Sequence, residues 1–411
     1  LLFRMGRKQN SQAGFKPIRR SDLQWDRPVS GISLAARHWI KMQKAAGVGH
    51  NELQQSELDG FWRAIYEREL FHWLTPNSKL PVEYDPGTVS YVITGGALSF
   101  QRVVFLIRSL KALECTGNTL VEVYHCKEDP FEDAMISFLE KEFNVKPVLL
   151  NDLFGPSSLN NASKDAKINI TTETAKVYAA LASRAERVVL VNHDVILFAC
   201  PDVHYPKGKT VFFKDRLLHP KNGALTSFII DRVTPQPVSS QLARSAVFQE
   251  LSSFQQDSSL VIVDKRDYQW VGLYISAGLM SRQVREKWGG NFRGDKEAFW
   301  MGWEVAGLEY DFERTNPGAI GFQHEQEQEQ AVCGGKLLHY SDVNTDTPVW
   351  ASGGVDRSEA DGPRFDTLDW VSLTSGKWTM GLCQIGVGEV SDELKKTIGL
   401  LKSIYKNDPL V

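Results

Sequence analysis

Three polar residues, Asn192, His193 and Asp194, directly follow residues 188–191, an apolar run typical of a fully buried β-strand. In open α/β sheets, ligands bind outside the carboxyl ends of the strands, which is where this strand would place Asp194. A carboxylate at that position can hold a divalent cation, which acts as a Lewis acid on an anionic substrate. The alternative is a polar strand exit without a chemical role.

Further charged residues lie at the ends of other predicted elements. Asp295 and Glu297 open a predicted helix, and Asp215 follows a predicted strand between Lys214 and Arg216. Acidic residues can polarise or bind a substrate hydroxyl. The alternatives are structural: acids are favoured at helix starts, and Arg216 can simply pair with Asp215.

The late segment 333–340 adds a histidine and a lysine. His339 is a possible metal ligand, although a buried histidine without such a role is an equally good interpretation. Lys336, three residues earlier, could reach a phosphate, but most lysines are solvated surface charges. The neighbouring motifs are the reason to consider either residue.

The elements that must position these residues alternate between strands and helices from residue 88 onward. Strands are predicted at 89–94, 120–124, 145–150 and 188–191, and helices at 99–113 and 132–143. A helix from Lys176 has an apolar face that includes Ala185. This order predicts an α/β fold with a Rossmann-like mixed sheet covered by helices. The glycines that end the first strand do not form GxGxxG, which disfavours nicotinamide binding.

The second half is less regular. Strands are predicted at 210–213 and 259–263, a helix at 266–275, another opening at 294–297, and a late strand at 333–340. The low-complexity tract 323–330 is predicted to be a solvated loop. A C-terminal helix capped by Ser391 buries Leu394, Ile398, Leu401 and Tyr405.

Two domains are expected: an N-terminal extension over 1–85, with a helix at 52–73, and a catalytic domain over 86–411. The extension begins with basic residues and with Leu1 rather than Met. Two interpretations explain this start. The chain is the lumenal part of a type II membrane protein whose anchor has been removed, or the segment is a disordered basic tail. The extension is expected to be dispensable for ligand binding at the sheet edge.

Composition narrows the class of protein. The chain has 411 residues, 42% of them hydrophobic, and a net charge of −3, without the basic and aromatic stripe of a nucleic-acid-binding protein. No apolar run is long enough to span a membrane. Two sequons, at Asn161 and Asn169, suggest the secretory pathway. Five cysteines show no zinc-ligand spacing, and their odd number leaves at least one thiol unpaired.

Together these motifs resemble the fungal Golgi α-mannosyltransferases of glycosyltransferase family 71. The resemblance extends over roughly residues 88 to 405, in order, through Val92-Ile-Thr-Gly-Gly96, Lys176 to Leu197, Phe212-Phe-Lys-Asp-Arg216, Asp257-Ser-Ser-Leu-Val-Ile-Val-Asp-Lys265, Gly294-Asp-Lys-Glu-Ala-Phe-Trp300 and Cys333-Gly-Gly-Lys-Leu-Leu-His339. The family implies a GT-A fold, a Golgi lumenal location, and a metal-dependent, retaining transfer of mannose from GDP-mannose to a glycan hydroxyl.

The resemblance also implies roles for individual residues. Asp194 and His339 would bind Mn²⁺ or another divalent cation, and Asp295, Glu297 and Asp257 would be catalytic. The donor nucleotide-sugar would contact Thr94, Gly95, Gly96, Arg102, Lys176, Asn192, His193, Asp215 and Lys336. In a lumenal enzyme, Cys333 and Cys383 would form a disulfide.

Asn192 departs from the family pattern, which usually has Asp there. An amide oxygen can accept a hydrogen bond from a ribose hydroxyl, but it adds no charge to a metal site. Two alternatives therefore remain beside the mannosyltransferase: an inactive transferase fold that serves as a binding module, and a transferase that uses a UDP-sugar on a small cytosolic acceptor.

Overall fold

The computed structural model describes residues 84–117, 119–154, 170–217, 238–280, 295–326, 329–353 and 388–406, together with residues 33, 36, 37, 40, 41 and 44 and short strands at 357–358, 362–363, 370–371, 378–379 and 383–385. The predicted helix at 52–73, the asparagines of both sequons and Gly294 lie outside these residues. Within the described part, no helix is long and apolar enough to span a bilayer.

Seven strands form a mixed central sheet. They are β1 (Asp85–Thr94), β2 (Leu120–His125), β3 (Val148–Leu149), β4 (Ala185–Asn192), β6 (Val211–Lys214), β7 (Gln256–Asp264) and β8 (Asp311–Phe312), while β5 (Ile196–Leu197) joins a second sheet. Their order is β3-β2-β1-β4-β7-β6-β8. Strands β1 to β4 are parallel, β7 runs antiparallel to both of its neighbours, and β8 is parallel to β6.

Helices cover both faces of this sheet. The helices of the described residues include α1 (Phe100–Ala112), α2 (Asp133–Phe143), α3 (Leu150–Phe154), α4 (Ala175–Ala182), α5 (Pro201–His204), α6 (Ser240–Ala243), α7 (Trp270–Leu279), α8 (Ala298–Ala306) and α9 (Asp392–Lys406), of which α9 packs in a separate core with α1 and the second sheet. In β4, Val188 and Leu190 face a core shared with α4, α7 and α8, whereas Val189 and Val191 face a core shared with α1 and α2. The strand is buried on both faces, as its continuous apolar run predicts.

A second, antiparallel sheet follows in the chain. Its strands are β9 (Gly318–Gln326), β10 (Glu329–Tyr340), β11 (Pro348–Ala351), β14 (Trp370–Val371), β15 (Trp378–Thr379), β16 (Cys383–Ile385) and β17 (Gly388–Glu389), and β12 (Arg357–Ser358) pairs with β13 (Gly362–Pro363). The predicted loop at 323–330 is therefore wrong, because β9 and β10 pair through this tract from Glu329 opposite Gln326 onward. Strand pairing joins backbone N–H and C=O groups, so a polar sequence does not exclude it.

Several boundaries also differ from the prediction. Ala185 was expected on the helical face, but α4 ends at Ala182 and Ser183 adopts an extended conformation with ψ of 136°. Ala185 instead begins β4, where it pairs with Asp85. The predicted helix at 266–275 begins only at Trp270. The C-terminal helix is confirmed: the hydroxyl of Ser391 accepts a hydrogen bond from the amide of Leu394 at 3.2 Å.

Part of the predicted extension packs against α8. Ala36 is fully buried and Ile40 is nearly so, both within the core that includes this helix. The Ser33 hydroxyl donates to the Val305 carbonyl at 2.6 Å, and the Arg37 guanidinium donates to the Glu304 carbonyl at 2.8 Å. The division at residue 85 stays a prediction, but residues before it contribute to the described core.

Cysteine pairing is partly different from the expectation. Cys115, after α1, and Cys200, before α5, form a disulfide that was not predicted. Cys333 is disulfide-bonded, and the strand register places it opposite Cys383, in agreement with the predicted pair. Cys126 is buried and free.

Peptide mapping of the unreduced protein should recover Cys115 and Cys200 in one linked species. Cys126 should react with an alkylating reagent only after unfolding, since its thiol is buried. If Cys115 and Cys200 both alkylate in the native protein without reductant, the described pairing is wrong.

Candidate active site

The polar motifs meet at one edge of the central sheet because of its strand directions. Parallel β1 and β4 end together, with Thr94 opposite Asn192. The antiparallel strand β7 begins at this edge, and its Gln256 lies opposite Lys214 at the end of β6. The segments after β1, β4, β6 and β8 and the start of β7 therefore share the edge at which open α/β sheets bind ligands.

The turn after β1 requires glycine. A Cβ on Gly96 would lie 2.1 Å from the backbone oxygen of Asp129, and a Cβ on Gly95 would lie 2.6 Å from Val103. The Gly96 amide donates to the Ser99 hydroxyl at 2.9 Å. Because glycine has no side chain, this turn can pack closely against the segment after β2.

The turn after β4 presents Asp194. The His193 ring lies against β1, with Nδ1 3.1 Å from the Thr94 carbonyl oxygen. The amide of Val195 donates to the Asn192 carbonyl at 3.1 Å and closes the turn. The Oδ1 atom of Asp194 is buried and has no hydrogen-bond partner. A buried carboxylate oxygen without a donor fits the ligand chemistry of a divalent cation.

A buried ion pair joins α4 to the segment before α8. The Lys176 ammonium pairs with Asp295, and it also donates to the carbonyl oxygen of Ser258 at 2.9 Å. Asp295 additionally accepts from the Ser258 hydroxyl at 3.0 Å. The positive charge of Lys176 is thereby held at the start of β7, next to the predicted catalytic residues.

A second ion pair holds the same segment, which here supplies the lysine instead of the aspartate. Lys296 pairs with Asp215 after β6, and its ammonium lies 4.8 Å from the Phe254 ring centre. Burial raises the pKa of Asp215, while Lys296 acts in the opposite direction. Asp295 and Lys296 are adjacent, so this short turn is fixed to two different elements by charge.

Glu297 is fully engaged inside the protein. Its Oε1 atom accepts from the backbone amides of Gln255 at 3.0 Å and Gln256 at 3.3 Å, and Oε2 accepts from the Trp300 indole at 2.5 Å. Burial raises the pKa of Glu297 to about 7. The contacts show a carboxylate that anchors the start of β7, immediately before Asp257.

The titration of Glu297 should make stability depend on pH. Its pKa rises on folding from an ordinary 4.5 to about 7, so the folded protein holds an extra proton between these values. Stability should fall as pH rises through this window, by up to about 3 kcal/mol. Denaturant unfolding at pH 5 and pH 7.5 measures the difference. Glu297→Gln should remove this component, and parallel pH profiles for the variant and the wild-type protein would contradict the assignment.

His339 lies between two carboxylates. Its Nδ1 atom is 2.9 Å from Glu313 Oε1, and its Nε2 atom is 3.4 Å from Asp257 Oδ2. The ring stacks on Trp350 with centres 3.8 Å apart and planes at 10°. Burial alone would lower the pKa of His339, but Glu313 and Asp257 raise it to about 9. Burial likewise opposes the charge of Asp257, yet the hydrogen bond with His339 holds its pKa well below the usual range.

One observation at this edge fits a divalent cation: the buried Oδ1 atom of Asp194 has no hydrogen-bond partner. The 3.4 Å contact between His339 Nε2 and Asp257 Oδ2 is a hydrogen bond between the two side chains. Among the residues that the structure describes, no group of three or more His, Cys, Asp or Glu side chains is arranged to hold a metal ion. The assignment of Asp194 and His339 as ligands stays a prediction.

Among the predicted donor-binding residues, Lys336 donates to the Gly353 carbonyl at 3.0 Å, and Arg102 is an exposed residue on α1. Their roles stay predictions. Glu313 and Lys296 were not singled out from the sequence. Their only signal was position, since Lys296 lies within the Asp295–Glu297 motif and Glu313 directly follows β8.

Comparison with known proteins identifies the family. Residues 90–341 match the model of a family described as "Mannosyltransferase putative". The match spans more than half of the chain, which therefore belongs to this mannosyltransferase family and is a glycosyltransferase. The resemblance to mannosyltransferases is confirmed at this level, and the structure has the predicted α/β fold with a mixed sheet flanked by helices. The GT-A assignment and the fungal origin stay predictions. The finer assignment to glycosyltransferase family 71 stays a prediction.

Solved structures give distant matches, and no curated protein sequence matches the chain. Galactosyltransferase LgtC with donor and acceptor sugar analogues aligns at 13% identity and a TM-score of 0.36, covering 55% of this chain and 74% of LgtC. Core-mannan synthase A (CmsA/Ktr4) from Aspergillus fumigatus in its Mn/GDP form aligns at 9% and 0.35, covering 56% and 74%. Mannosyltransferase Ktr4p from S. cerevisiae aligns at 11% and 0.34, covering 59% and 74%. Scores this low carry no argument about activity.

Proposed function

We propose that this chain is a metal-dependent, retaining α-mannosyltransferase that moves mannose from GDP-mannose to a hydroxyl of a glycan or glycoconjugate. One observation carries the proposal beyond the family: Asn192–Asp194, Lys176, Asp257 and Asp295 converge on one edge of the sheet. These residues come from four separate segments of the sequence. Their convergence supports a single site for donor, cation and acceptor.

Asp194 and His339 would hold the cation, with Mn²⁺ as the first choice. When bound, the cation would supply Lewis-acid stabilisation of the leaving diphosphate. Asp194 brings a buried oxygen without a donor, and His339 brings a ring nitrogen on the side of Asp257. Asn192 would contribute no charge, and its amide oxygen would accept from a ribose hydroxyl.

Lys176 would neutralise the donor phosphates from the protein side. The Lys176 ammonium lies buried at the sheet edge, where Asp295 and Ser258 hold it. A diphosphate that approaches this edge would compete with Asp295 for the same ammonium. The exchange would bring positive charge to the leaving group and free Asp295 to accept a hydrogen bond from the incoming hydroxyl.

On the acceptor side, Asp295 and Asp257 would bind or polarise the hydroxyl. Glu297 contributes differently, since the contacts of both its oxygens are internal and its pKa is raised by burial. We assign it to positioning: it fixes the backbone of Gln255 and Gln256 and hence the direction of Asp257. Asp215, paired with Lys296, would orient the donor sugar.

A lumenal location, in the Golgi, belongs to the same proposal. The disulfide between Cys115 and Cys200 supports an oxidising compartment, because such bonds are rare in reducing cytosol. A catalytically inactive binding module is the second candidate function, and Asn192 in place of Asp is the observation that favours it.

A donor panel separates these candidates. The unfolding temperature should rise more with GDP-mannose and Mn²⁺ together than with UDP-sugars, because a ligand that binds only the folded state stabilises it. Product analysis with a mannoside acceptor should then show a new α-linked mannose. A shift with GDP-mannose but no product from any acceptor would favour the binding module, and a larger shift with a UDP-sugar would overturn the donor assignment.

A further inference from the structure

Ser258 connects the two members of the buried ion pair at the sheet edge. It lies near the start of β7 and is almost completely shielded from solvent. Its hydroxyl donates to Asp295 Oδ1 at 3.0 Å. The Lys176 ammonium donates to its carbonyl oxygen at 2.9 Å and to its hydroxyl oxygen at 3.3 Å. The hydroxyl group of this serine therefore contacts the cation and the anion at the same time.

The two carboxylate oxygens of Asp295 have different partners. Oδ1 accepts the hydrogen bond from Ser258, and Oδ2 is paired with the Lys176 ammonium. The next residue, Lys296, pairs with Asp215 instead. If Lys176 turns to a donor diphosphate, Oδ2 loses its charged partner, whereas Oδ1 keeps its hydrogen bond.

The strand β7 is held in place by contacts that do not involve Lys176. The Glu297 carboxylate accepts from the backbone amides of Gln255 at 3.0 Å and Gln256 at 3.3 Å. Farther along, the backbone of β7 pairs with β4. The hydroxyl of Ser258 is therefore presented from a fixed backbone, and it can stay in place when the lysine moves.

We propose that Ser258 is a positioning residue for the acceptor side of the transfer: its hydroxyl holds Asp295 Oδ1, so that Oδ2 faces the acceptor hydroxyl once Lys176 has turned to the donor diphosphate. The proposal rests on the proposed function, in which Lys176 binds the diphosphate and Asp295 binds the acceptor. A buried carboxylate that loses its counter-charge is costly unless hydrogen bonds hold it. Ser258 supplies one such bond, and no covalent bond forms or breaks at the serine.

Steady-state kinetics and calorimetric titration with GDP, both with Mn²⁺ present, test this on the full chain. Ser258→Ala should lower kcat by about 10–100-fold, as expected for the loss of one hydrogen bond to a charged group. GDP affinity should change by less than about threefold, because the carbonyl oxygen of residue 258 still accepts from Lys176. Ser258→Thr keeps the hydroxyl and should retain most of the turnover. Wild-type kcat in Ser258→Ala would overturn the proposal.

A second background separates positioning of Asp295 from a general loss of stability. Two changes within one interaction are not additive, so Ser258→Ala should lower kcat by at most about twofold when it is combined with Asp295→Asn. An equal loss of kcat in both backgrounds would show that the serine does not act through Asp295, and the proposal would fail.

Ser276 provides a matched control. It is also buried, and its hydroxyl donates to the carbonyl oxygens of Gly272 at 2.8 Å and Phe299 at 3.3 Å, which joins α7 to α8. Ser276→Ala should leave kcat unchanged, even where it lowers the unfolding temperature. If Ser276→Ala lowers kcat as much as Ser258→Ala, the effect is structural and the proposal is wrong.

Ser258→Cys covers the case in which the alanine variant fails to fold. A thiol fills similar space but is a weaker hydrogen-bond donor, so kcat should fall below that of the wild-type protein. An unchanged kcat in Ser258→Cys, with an active wild-type protein, overturns this inference alone. If the folded wild-type protein releases no GDP from GDP-mannose with any mannoside, the proposed function fails, and this inference fails with it.

Discussion

Asp194→Asn should fold normally and lose at least about 100-fold of turnover, since a bound cation contributes several kcal/mol at the leaving diphosphate. The side chain lies in the turn after β4, and its Oδ1 atom has no hydrogen-bond partner, so the isosteric amide removes charge and little packing. Steady-state rates across a range of Mn²⁺ concentrations measure the loss, and thermal unfolding verifies the fold.

Asn192→Asp is the matched comparison, two residues away at the end of β4. It restores the acidic pair that the family pattern usually has. The variant should keep its turnover and bind Mn²⁺ as tightly as the wild-type protein or more tightly. If Asp194→Asn keeps near-normal turnover and an unchanged metal response, Asp194 is not a metal ligand and the assignment of the cation site is wrong.

Lys176→Met should destabilise the fold by about 3–5 kcal/mol, which is typical when one partner of a buried ion pair is removed. The variant leaves Asp295 buried without its counter-charge, because Lys176 and Asp295 are nearly inaccessible to solvent in the pair. Donor binding should also weaken, since the proposed phosphate contact is lost. Denaturant unfolding measures the first effect, and calorimetric titration with GDP measures the second.

Two comparisons sharpen this result. Lys209 forms an ion pair with Asp311 at 2.6 Å, but both side chains are largely exposed, so Lys209→Met should change stability by less than about 1 kcal/mol. Adding Asp295→Leu to Lys176→Met should recover much of the lost stability, because it removes the uncompensated charge. If Lys176→Met is no more destabilising than Lys209→Met, the inference that the buried Lys176–Asp295 ion pair contributes to stability is wrong.

Much of the central sheet could be predicted from apolar periodicity. The segments 89–94 and 188–191 are rich in β-branched residues, and both are confirmed as strands; the structure shows that they are neighbours in the sheet. The pairing of β9 with β10 through residues 323–330 was missed because this tract is a low-complexity run of polar residues in the sequence, whereas strand pairing joins backbone groups and does not depend on side-chain type. Ala185 was misassigned since a small apolar residue fits the helical and the strand period equally well.

The candidate site could be predicted only in part from the sequence. Asp295 and Glu297 were expected to share a role, but only the folded structure separates the ion pair of Asp295 from the internal contacts of Glu297. Glu313 carried no motif, and its contact with His339 joins residues 26 positions apart, one directly after β8 and the other on β10. The Cys115–Cys200 pairing was equally hidden, because spacing does not determine disulfide connectivity.

Nucleotide release from GDP-mannose, with and without Mn²⁺, tests the central claim most directly. The wild-type chain should release GDP in the presence of Mn²⁺ and an acceptor mannoside, and chelation should abolish the release while re-addition restores it. Asp194→Asn, measured in parallel, should show at least about a 100-fold lower rate. Absence of GDP release from the folded wild-type protein under all these conditions would contradict a metal-dependent mannosyltransferase.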